Sequence, residues 1–468
     1  MRLTKHAAIA VTVAAALAAP AAASAAVAGP RAAATFINWP AYLNGVTHPS
    51  ANAAATAITP ARVPGLTRAW TWKPAPATMT GQPGPGLFAS PTVFNGRIYI
   101  GANTGVFYAL DEATGHVLWQ QFLGFVTHKT CGARGLISTA TVAGDPATGT
   151  PTVYVAGADG FLYALKAATG AVVWRSLVAL PSATVNDYFN WSSPAVVNRH
   201  VYVGVSSQCD KPLVVGGLKE YDQATGALLS FYQTNPGGST GPSIWSSASA
   251  LPSGQSVFVT TGNGPGGDAA SIVRLDGTTL AKQASWKVPS GQQIKDSDFG
   301  GSPTLFSAAL GGVTTPLIGA CNKNGVYYAL RSASLAAGPV WQFTVAGPAD
   351  GGQCDAAGVW DGSHLFVSGN ETTIGGVSFN GSVRMLDPAT GAPIWETGLP
   401  GPVIGTPTLD GAHVLAVQTY SSSGMFLINA ATGAVLRNIA SGTGFGQPVF
   451  ADNMLLLPTI GKGLWAYK

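Results

Sequence analysis

The sequence predicts an all-β fold, an eight-bladed propeller whose ring closes by pairing strands from the two ends of the chain. Three observations carry that prediction. One phrase recurs, as VFYALDEATGHVLW at 106–119, FLYALKAATGAVVW at 161–174 and SVRMLDPATGAPIW at 382–395. Looser copies fill the intervals: GGLKEYDQATGALLSF at 216–231, SIVRLDGTTLAKQASW at 271–286, GVYYALRSASLAAGPVW at 325–341 and GMFLINAATGAVLR at 424–437. The last copy is incomplete, because the chain ends in GLWAYK at 463–468, while LTRAWTWK at 66–73 is a tryptophan strand with no hairpin before it. Repetition at this spacing marks one supersecondary unit used many times. Joining the two half-copies makes the eighth blade and leaves no open sheet edge.

The elements follow in order. Arg2, Lys5 and His6 precede an apolar run from Ala7 to Ala19, and Ala23-Ser24-Ala25 offers small residues for cleavage. Residues 1–25 therefore read as a secretory signal rather than a membrane span. Residues 26–64 form an Ala- and Pro-rich N-terminal extension, in which FINWPAYL at 36–43 carries aromatics able to pack against the ring. The propeller occupies residues 65–468. Its inner strands read as strand, turn, strand, as in SPTVFNGRIYIG at 90–101, SSPAVVNRHVYVG at 192–204 and GTPTLDGAHVLAV at 405–417. The recurring phrase is the outer hairpin: Val106, Tyr108 and Leu110 alternate with their neighbours at period two. A Thr-Gly turn follows, where glycine tolerates positive φ and the threonine hydroxyl can bond nearby backbone. Trp119, Trp174 and Trp395 close the phrase, each a large side chain suited to the wedge between sheets.

Charged residues are 9% of the 468, with 60 Gly and 32 Pro, as a compact sheet protein with many tight turns requires. A formal charge of +4 is too small to indicate a nucleic-acid partner. The signal places the mature chain outside the cytoplasm, periplasmic, envelope-associated or secreted, where cysteines pair. By their loops Cys131, Cys209, Cys321 and Cys354 all fall on one face of the ring; three pairings are open, with Cys321–Cys354 and Cys131–Cys209 preferred. No CxxCH occurs, so no covalent haem is expected. The seven histidines lack metal-ligand spacing, and no Ser-His-Asp set can be assembled.

The Leu-Tyr-Ala-Leu strand, Thr-Gly turn and closing Trp resemble the pyrroloquinoline quinone (PQQ) propeller repeat of the quinoprotein alcohol dehydrogenase-like superfamily, over nearly the whole mature chain. The same ring also serves non-enzymatic scaffolds of the outer-membrane assembly type. Four stretches resemble dehydrogenase sites. In IWSSASALPSGQSVFVTTGNGP at 244–265 the resemblance implies Trp245 as the floor under the quinone and Asn263 as a calcium ligand. KDSDFGGSPTLF at 295–306 implies Asp298 as catalytic base and second calcium ligand, with Asp296 a neighbouring decoy. CNKNGVYYAL at 321–330 implies Lys323 at the quinone oxygens, and CGARGL at 131–136 implies Arg134 at a cofactor carboxylate. The chemistry is coherent: a flat tricarboxylate quinone wants an aromatic plane and cations, and a carboxylate can take an alcohol proton as hydride leaves.

The chain also departs from the family pattern. Dehydrogenases of this kind often bridge two adjacent cysteines near the cofactor, but Cys131 has no cysteine neighbour. Their calcium-binding glutamate is replaced in GVSSQCD, which leaves Gln208 or Asp210, and the tryptophan expected before Asp298 is Ser297. These departures resemble the polyvinyl-alcohol-dehydrogenase-like branch. Each candidate has a structural alternative: Trp245 as blade packing, Asn263 as a turn residue, Asp298 as a strand cap, Lys323 as a solvated turn lysine, Arg134 as a loop brace. Two functions are therefore expected in competition. One is an exported PQQ- and calcium-dependent dehydrogenase, oxidising a small or polymeric alcohol and passing electrons to a separate acceptor. The other is a non-enzymatic propeller that binds a protein or envelope partner.

Overall fold

Alternating apolar strands build eight antiparallel blades around one axis in the computed structural model, which describes residues 35–128, 130–182, 187–347 and 354–468. The signal expected over residues 1–25 lies outside these. In blade 1 the strands Thr92–Phe94, Arg97–Gly101, Val106–Asp111 and Val117–Phe122 succeed one another outward. The inner three are nearly all buried, and only the outermost alternates between exposed and half-buried residues. Helix is confined, among the described residues, to short 3-10 turns.

Closure occurs as the two half-copies predict. Arg68–Trp72 pairs antiparallel with Gly463–Tyr467, setting Trp70 opposite Ala466 and Trp72 opposite Leu464. Thr67 and Lys468 exchange both backbone hydrogen bonds beyond it, at 2.9 and 3.0 Å.

The repeat tryptophans do more than fill a wedge. Trp119 Nε1 donates to Ala167 O at 3.0 Å, Trp174 Nε1 to Gln223 O at 3.2 Å and Trp395 Nε1 to Ala430 O at 2.9 Å, in each case on the following blade. The same indoles cover the Thr-Gly turns of that blade. Gly226 has φ +71°, and a Cβ there would lie 2.5 Å from the Trp174 ring. The turn glycine thus answers two demands, backbone conformation and contact with the preceding blade.

Nearer the axis, a relay of hydroxyls joins blade to blade. The N–H of Gln447 donates to Ser90 Oγ at 3.0 Å, Ser90 N–H to Thr139 Oγ1 at 3.0 Å, and Thr139 N–H to Ser193 Oγ at 3.0 Å. Ser193 N–H continues to Ser247 Oγ at 2.9 Å, and Ser247 N–H to Ser302 Oγ at 2.8 Å. Ala357 has no hydroxyl to extend the relay, which resumes as Ala357 N–H donates to Thr406 Oγ1 at 3.0 Å. Two residues further along, Thr92, Thr141, Thr304 and Thr408 donate back to carbonyls of the next blade.

The extension passes beneath this belt. Trp39 is fully buried and exchanges backbone bonds with Val93 at 2.9 and 2.8 Å. The carbonyls of Pro40, Val46, Thr47, Pro49 and Ser50 then accept the N–H groups of Val142, Ala250, Leu305, Trp360 and Leu409, on blades 2, 4, 5, 6 and 7. Ala51–Asn52 adds a short parallel strand to blade 7.

Two measurements follow from this packing. Gly226→Ala is expected to cost about 1–3 kcal/mol, read by chemical denaturation, because it adds both positive-φ strain and a clash with Trp174. At the seam between blades 1 and 8, burial first and the Asp452 carboxyl second push the Glu112 pKa up to about 8. The ordinary glutamate value in an unfolded chain is about 4.3, so the raised folded value favours the fold in acid, and that contribution fades as pH rises through 8. Thermal stability should fall between about pH 4 and 8, and Glu112→Gln should flatten the fall.

Candidate functional site

The loops entering the inner strands and the turns after the second strands share one face, and the sequence-predicted residues come from both. Trp245 precedes Ser249–Ala250 of blade 4, and Asn263 follows Ser256–Thr260. Asp298 precedes Thr304–Leu310 of blade 5, and Lys323 follows Val313–Cys321. All four line one cleft of about 590 Å³, together with Trp191, Asp210, Lys295, Asp296 and Phe445.

The turn carrying Lys323 is held from several sides. Asn322 Oδ1 caps Asn324 N–H at 3.0 Å, and Gly325, at φ +87°, completes the reversal. Asn322 Nδ2 donates to Ser297 O at 2.7 Å while Ser297 Oγ donates to Asn322 Oδ1 at 3.0 Å, and Lys323 N–H donates to Asp298 O at 2.8 Å. Ser297, where the family pattern has tryptophan, thus ties the lysine turn to the aspartate loop. On the other side Cys321 is bridged to Cys354, with Cα atoms 5.6 Å apart. The second bridge joins Cys131 to Cys209, with Cα atoms 6.1 Å apart. Both pairings are the preferred ones.

Lys323 Nζ lies 2.7 Å from Asp298 Oδ2, 3.0 Å from Asp296 Oδ2 and 5.5 Å from the centre of the Trp245 ring. It points into the cleft, with its side chain 12% exposed and that of Asp298 6%. Asn263 donates its backbone N–H to Asp298 Oδ1 and its amide to Asp296 Oδ1 at 2.9 Å. Asp296 is therefore a member of the same hydrogen-bonded network as Asp298. Burial pushes the Asp298 carboxyl up to about 6, against the pull of Lys323 and with the help of Asp296. For Lys323, burial works to lower the pKa, but the summed attraction of Asp298, Asp355 and Asp296 outweighs it and holds the ammonium charged.

Arg134 does not line this cleft. Its guanidinium lies 5.6 Å from the ring centre of Phe88, which packs on the cleft residue Phe445 at 5.9 Å. Gln208 lines the cleft, but its amide is engaged, donating to Cys131 O at 3.2 Å and Gly132 O at 2.9 Å and meeting His128. Asp210 does face the cleft, where Ser207 and Ser243 donate to its Oδ1.

To a flat anionic ligand these side chains offer an indole face, the held ammonium of Lys323, and Lys211 and Lys295 at the walls, set against the carboxylates of Asp210, Asp296 and Asp298. They fit a divalent ion less well. Both oxygens of Asp298 are committed, one to Asn263 N–H and one to Lys323, and the ammonium already supplies the positive charge between the two carboxylates. As the side chains stand, calcium does not fit between them.

Trp191 and Phe445 are cleft residues that reading along the chain misses, though a signal exists. Trp191-Ser192-Ser193 and Trp245-Ser246-Ser247 are the same motif on adjacent blades, each tryptophan two residues before a hydroxyl of the axial belt. Phe88, Ile137, Gly300, Asp355, Ile404 and Phe445 hold the equivalent place on the other blades, and together these residues ring the axis. Asp355 is the charged member of that ring.

The family model described as glucose/ethanol/alcohol dehydrogenase, β-propeller domain, matches residues 39–343, and that of outer membrane protein assembly factor BamB matches residues 331–436. The quinohemoprotein alcohol dehydrogenase ADH IIB of Pseudomonas putida is 26% identical over 52% of this chain and 40% of its own. BamB of Legionella pneumophila (strain Paris) is 25% identical over 38% of this chain and 49% of its own. The chain thus spans less than half the length of either relative. The structure of quinohemoprotein alcohol dehydrogenase from Comamonas testosteroni superposes with a TM-score of 0.70 over 92% of this chain and 80% of that one, at 18% identity. BamB from Moraxella catarrhalis gives 0.55 over 86% and 97%, at 15% identity. Likeness at such identities is likeness of fold alone. Since the dehydrogenase match covers well over half of its length, the chain belongs to the glucose/ethanol/alcohol dehydrogenase β-propeller family.

Proposed function

We propose that this chain is an exported quinoprotein dehydrogenase that oxidises an alcohol or polyol, with PQQ bound over Trp245. The observation that carries this reading is the convergence of Trp245, Lys323 and Asp298 in one cleft, with Lys323 Nζ 2.7 Å from the Asp298 carboxylate and 5.5 Å from the indole. The quinone, when bound, supplies a two-electron acceptor; Trp245 would offer its stacking face and Lys323 a charged donor. Asp298 is the base that takes the proton of the substrate hydroxyl. Its backbone donor from Asn263 and its partner Lys323 hold the carboxylate in place, and its position against the cleft wall limits access of water. The disulfides and the N-terminal signal pattern support export.

A second reading has its own support in the BamB match over residues 331–436: a protein-binding scaffold that uses the same face. Titration separates the two. PQQ should quench tryptophan fluorescence saturably at one equivalent, and an alcohol should then drive reduction of an artificial acceptor. Absence of saturable quenching would sink the dehydrogenase reading and leave the scaffold.

Asp298→Asn should lower turnover by about 10²–10⁴-fold while quinone still binds. In the unmodified chain, kcat/KM should rise as pH climbs through about 6, because the base must be ionised to act. Lys323→Met strands Asp298 and Asp296 without their cation. It should weaken PQQ binding and cost about 3–5 kcal/mol in denaturant unfolding, and Lys323→Met with Asp298→Asn should cost less than the sum of the two changes.

A further inference from the structure

At the ring of residues that contains Trp245, the axis holds a chamber of about 110 Å³, which adjoins the cleft at Trp191, Trp245 and Phe445 and is otherwise lined by different residues. Tyr42 of the N-terminal extension lines it together with Ser302 and Thr406 of the belt. Two acceptors in its wall have no partner: Asp355 Oδ1 and Gln447 Oε1, both shielded from solvent. Gln447 is 1% exposed, and its amide cannot turn over freely, because Nε2 donates to Ser50 Oγ and, at 3.4 Å, to Pro407 O. The amide oxygen is therefore held as an unsatisfied acceptor.

Asp355 is placed with similar care. It follows Cys354, whose bridge to Cys321 fixes the loop, and a Cβ on Gly300 would lie 1.9 Å from Asp355 Oδ1. The glycine leaves room for the carboxylate. Lys323 influences Asp355 electrostatically, but its ammonium hydrogen bonds go to Asp296 and Asp298. A carboxylate oxygen and an amide oxygen that are both shielded from solvent and without donors are costly to leave unmatched. The remaining wall offers further oxygens, from Ser90, Ser302, Thr406 and Tyr42. One carboxylate among neutral oxygens is the donor set of a hard cation, which takes oxygen ligands at low charge cost.

We propose that the axial chamber beside Trp245 binds a hard metal cation through Asp355 and Gln447, with belt hydroxyls completing its shell. This site is independent of the quinone and distinct from the Asn263–Asp298 position. A cation there would neutralise the charged member of the axial ring and brace the N-terminal extension against the blades.

The mature protein, stripped with chelator and held in tetramethylammonium buffer, can be titrated with terbium, calcium and sodium. Terbium emission excited through tryptophan reads occupancy, since Trp245 borders the chamber, and the melting temperature reads the effect on the fold. Sensitised emission should saturate, calcium or sodium should displace it, and each should raise the melting temperature. Asp355→Asn should weaken terbium binding about tenfold or more, and Gln447→Glu, which adds a charge at the same place, should strengthen it by a similar factor. Asn263→Ala, whatever it does to the melting temperature of the metal-free protein, should leave the terbium titration and the rise in melting temperature caused by the metal unchanged. No emission and no thermal shift would mean that the chamber holds water only and would overturn the proposal. So would emission lost in Asn263→Ala but retained in Asp355→Asn, which would place the cation in the cleft.

Discussion

At six of its eight seams this ring is joined by a backbone N–H donating to a hydroxyl beside the axis, and the rest of the structure depends on that contact. Ser90, Thr139, Ser193, Ser247, Ser302 and Thr406 each accept an N–H from the adjoining blade at 2.8–3.0 Å. One such bond contributes only about 0.5–1.5 kcal/mol net. Its greater effect is geometric, because it sets where each inner strand begins. Residues two positions earlier are thereby brought to the axis on every blade, and Trp245, Trp191 and Phe445 occupy that position. The tryptophans of the outer strands make a second relay at larger radius, so that adjacent blades are fixed at two distances from the axis.

The site is placed by this framework and then locked locally. Lys323 occupies a turn bonded to the Asp298 loop through Asn322 and Ser297 and bridged to the Asp355 loop through Cys321–Cys354. Its ammonium meets two carboxylates in a largely buried setting, where a charge pair is tolerated only when its partners are fully engaged. Asn263 completes that engagement by donating to both aspartates. The Cys131–Cys209 bridge brings Cys209 to the opposite wall of the cleft, where Asp210 follows it. A cross-loop disulfide thus borders the cleft in a chain that lacks the adjacent pair common in the family.

Much of this was legible along the chain. The fold, the split closing blade and the placement of all four cysteines on one face follow from repeats and loop positions, because those signals are local or recur at a fixed period; the pairing itself was a preference among three. Trp245, Asn263, Asp298 and Lys323 were marked by the resemblance of their stretches to dehydrogenase sites, and they do meet in one cleft. The unread part is set across blades. The belt hydroxyls lie far apart in sequence and look like ordinary serines and threonines before strands; only alignment of all eight blades reveals them as one ring. Asp355 and Phe445 are invisible for the same reason. Asp296 looked redundant beside Asp298 because its place in the network rests on the direction of its side chain, which spacing does not encode. Arg134 lies behind Phe88 because the small hairpin Val126–His128 with Gly132–Arg134 carries it to the side of the cleft.

The central claim is that the belt delivers one aromatic floor and one held cation to a single ligand. A crystal structure of the mature protein with PQQ tests it most directly. The account predicts the quinone lying on the face of Trp245, with Lys323 donating to its oxygens and Asp298 left facing the substrate space. A quinone bound elsewhere, or a Trp245 face covered by protein with the quinone absent at saturating concentration, would contradict it.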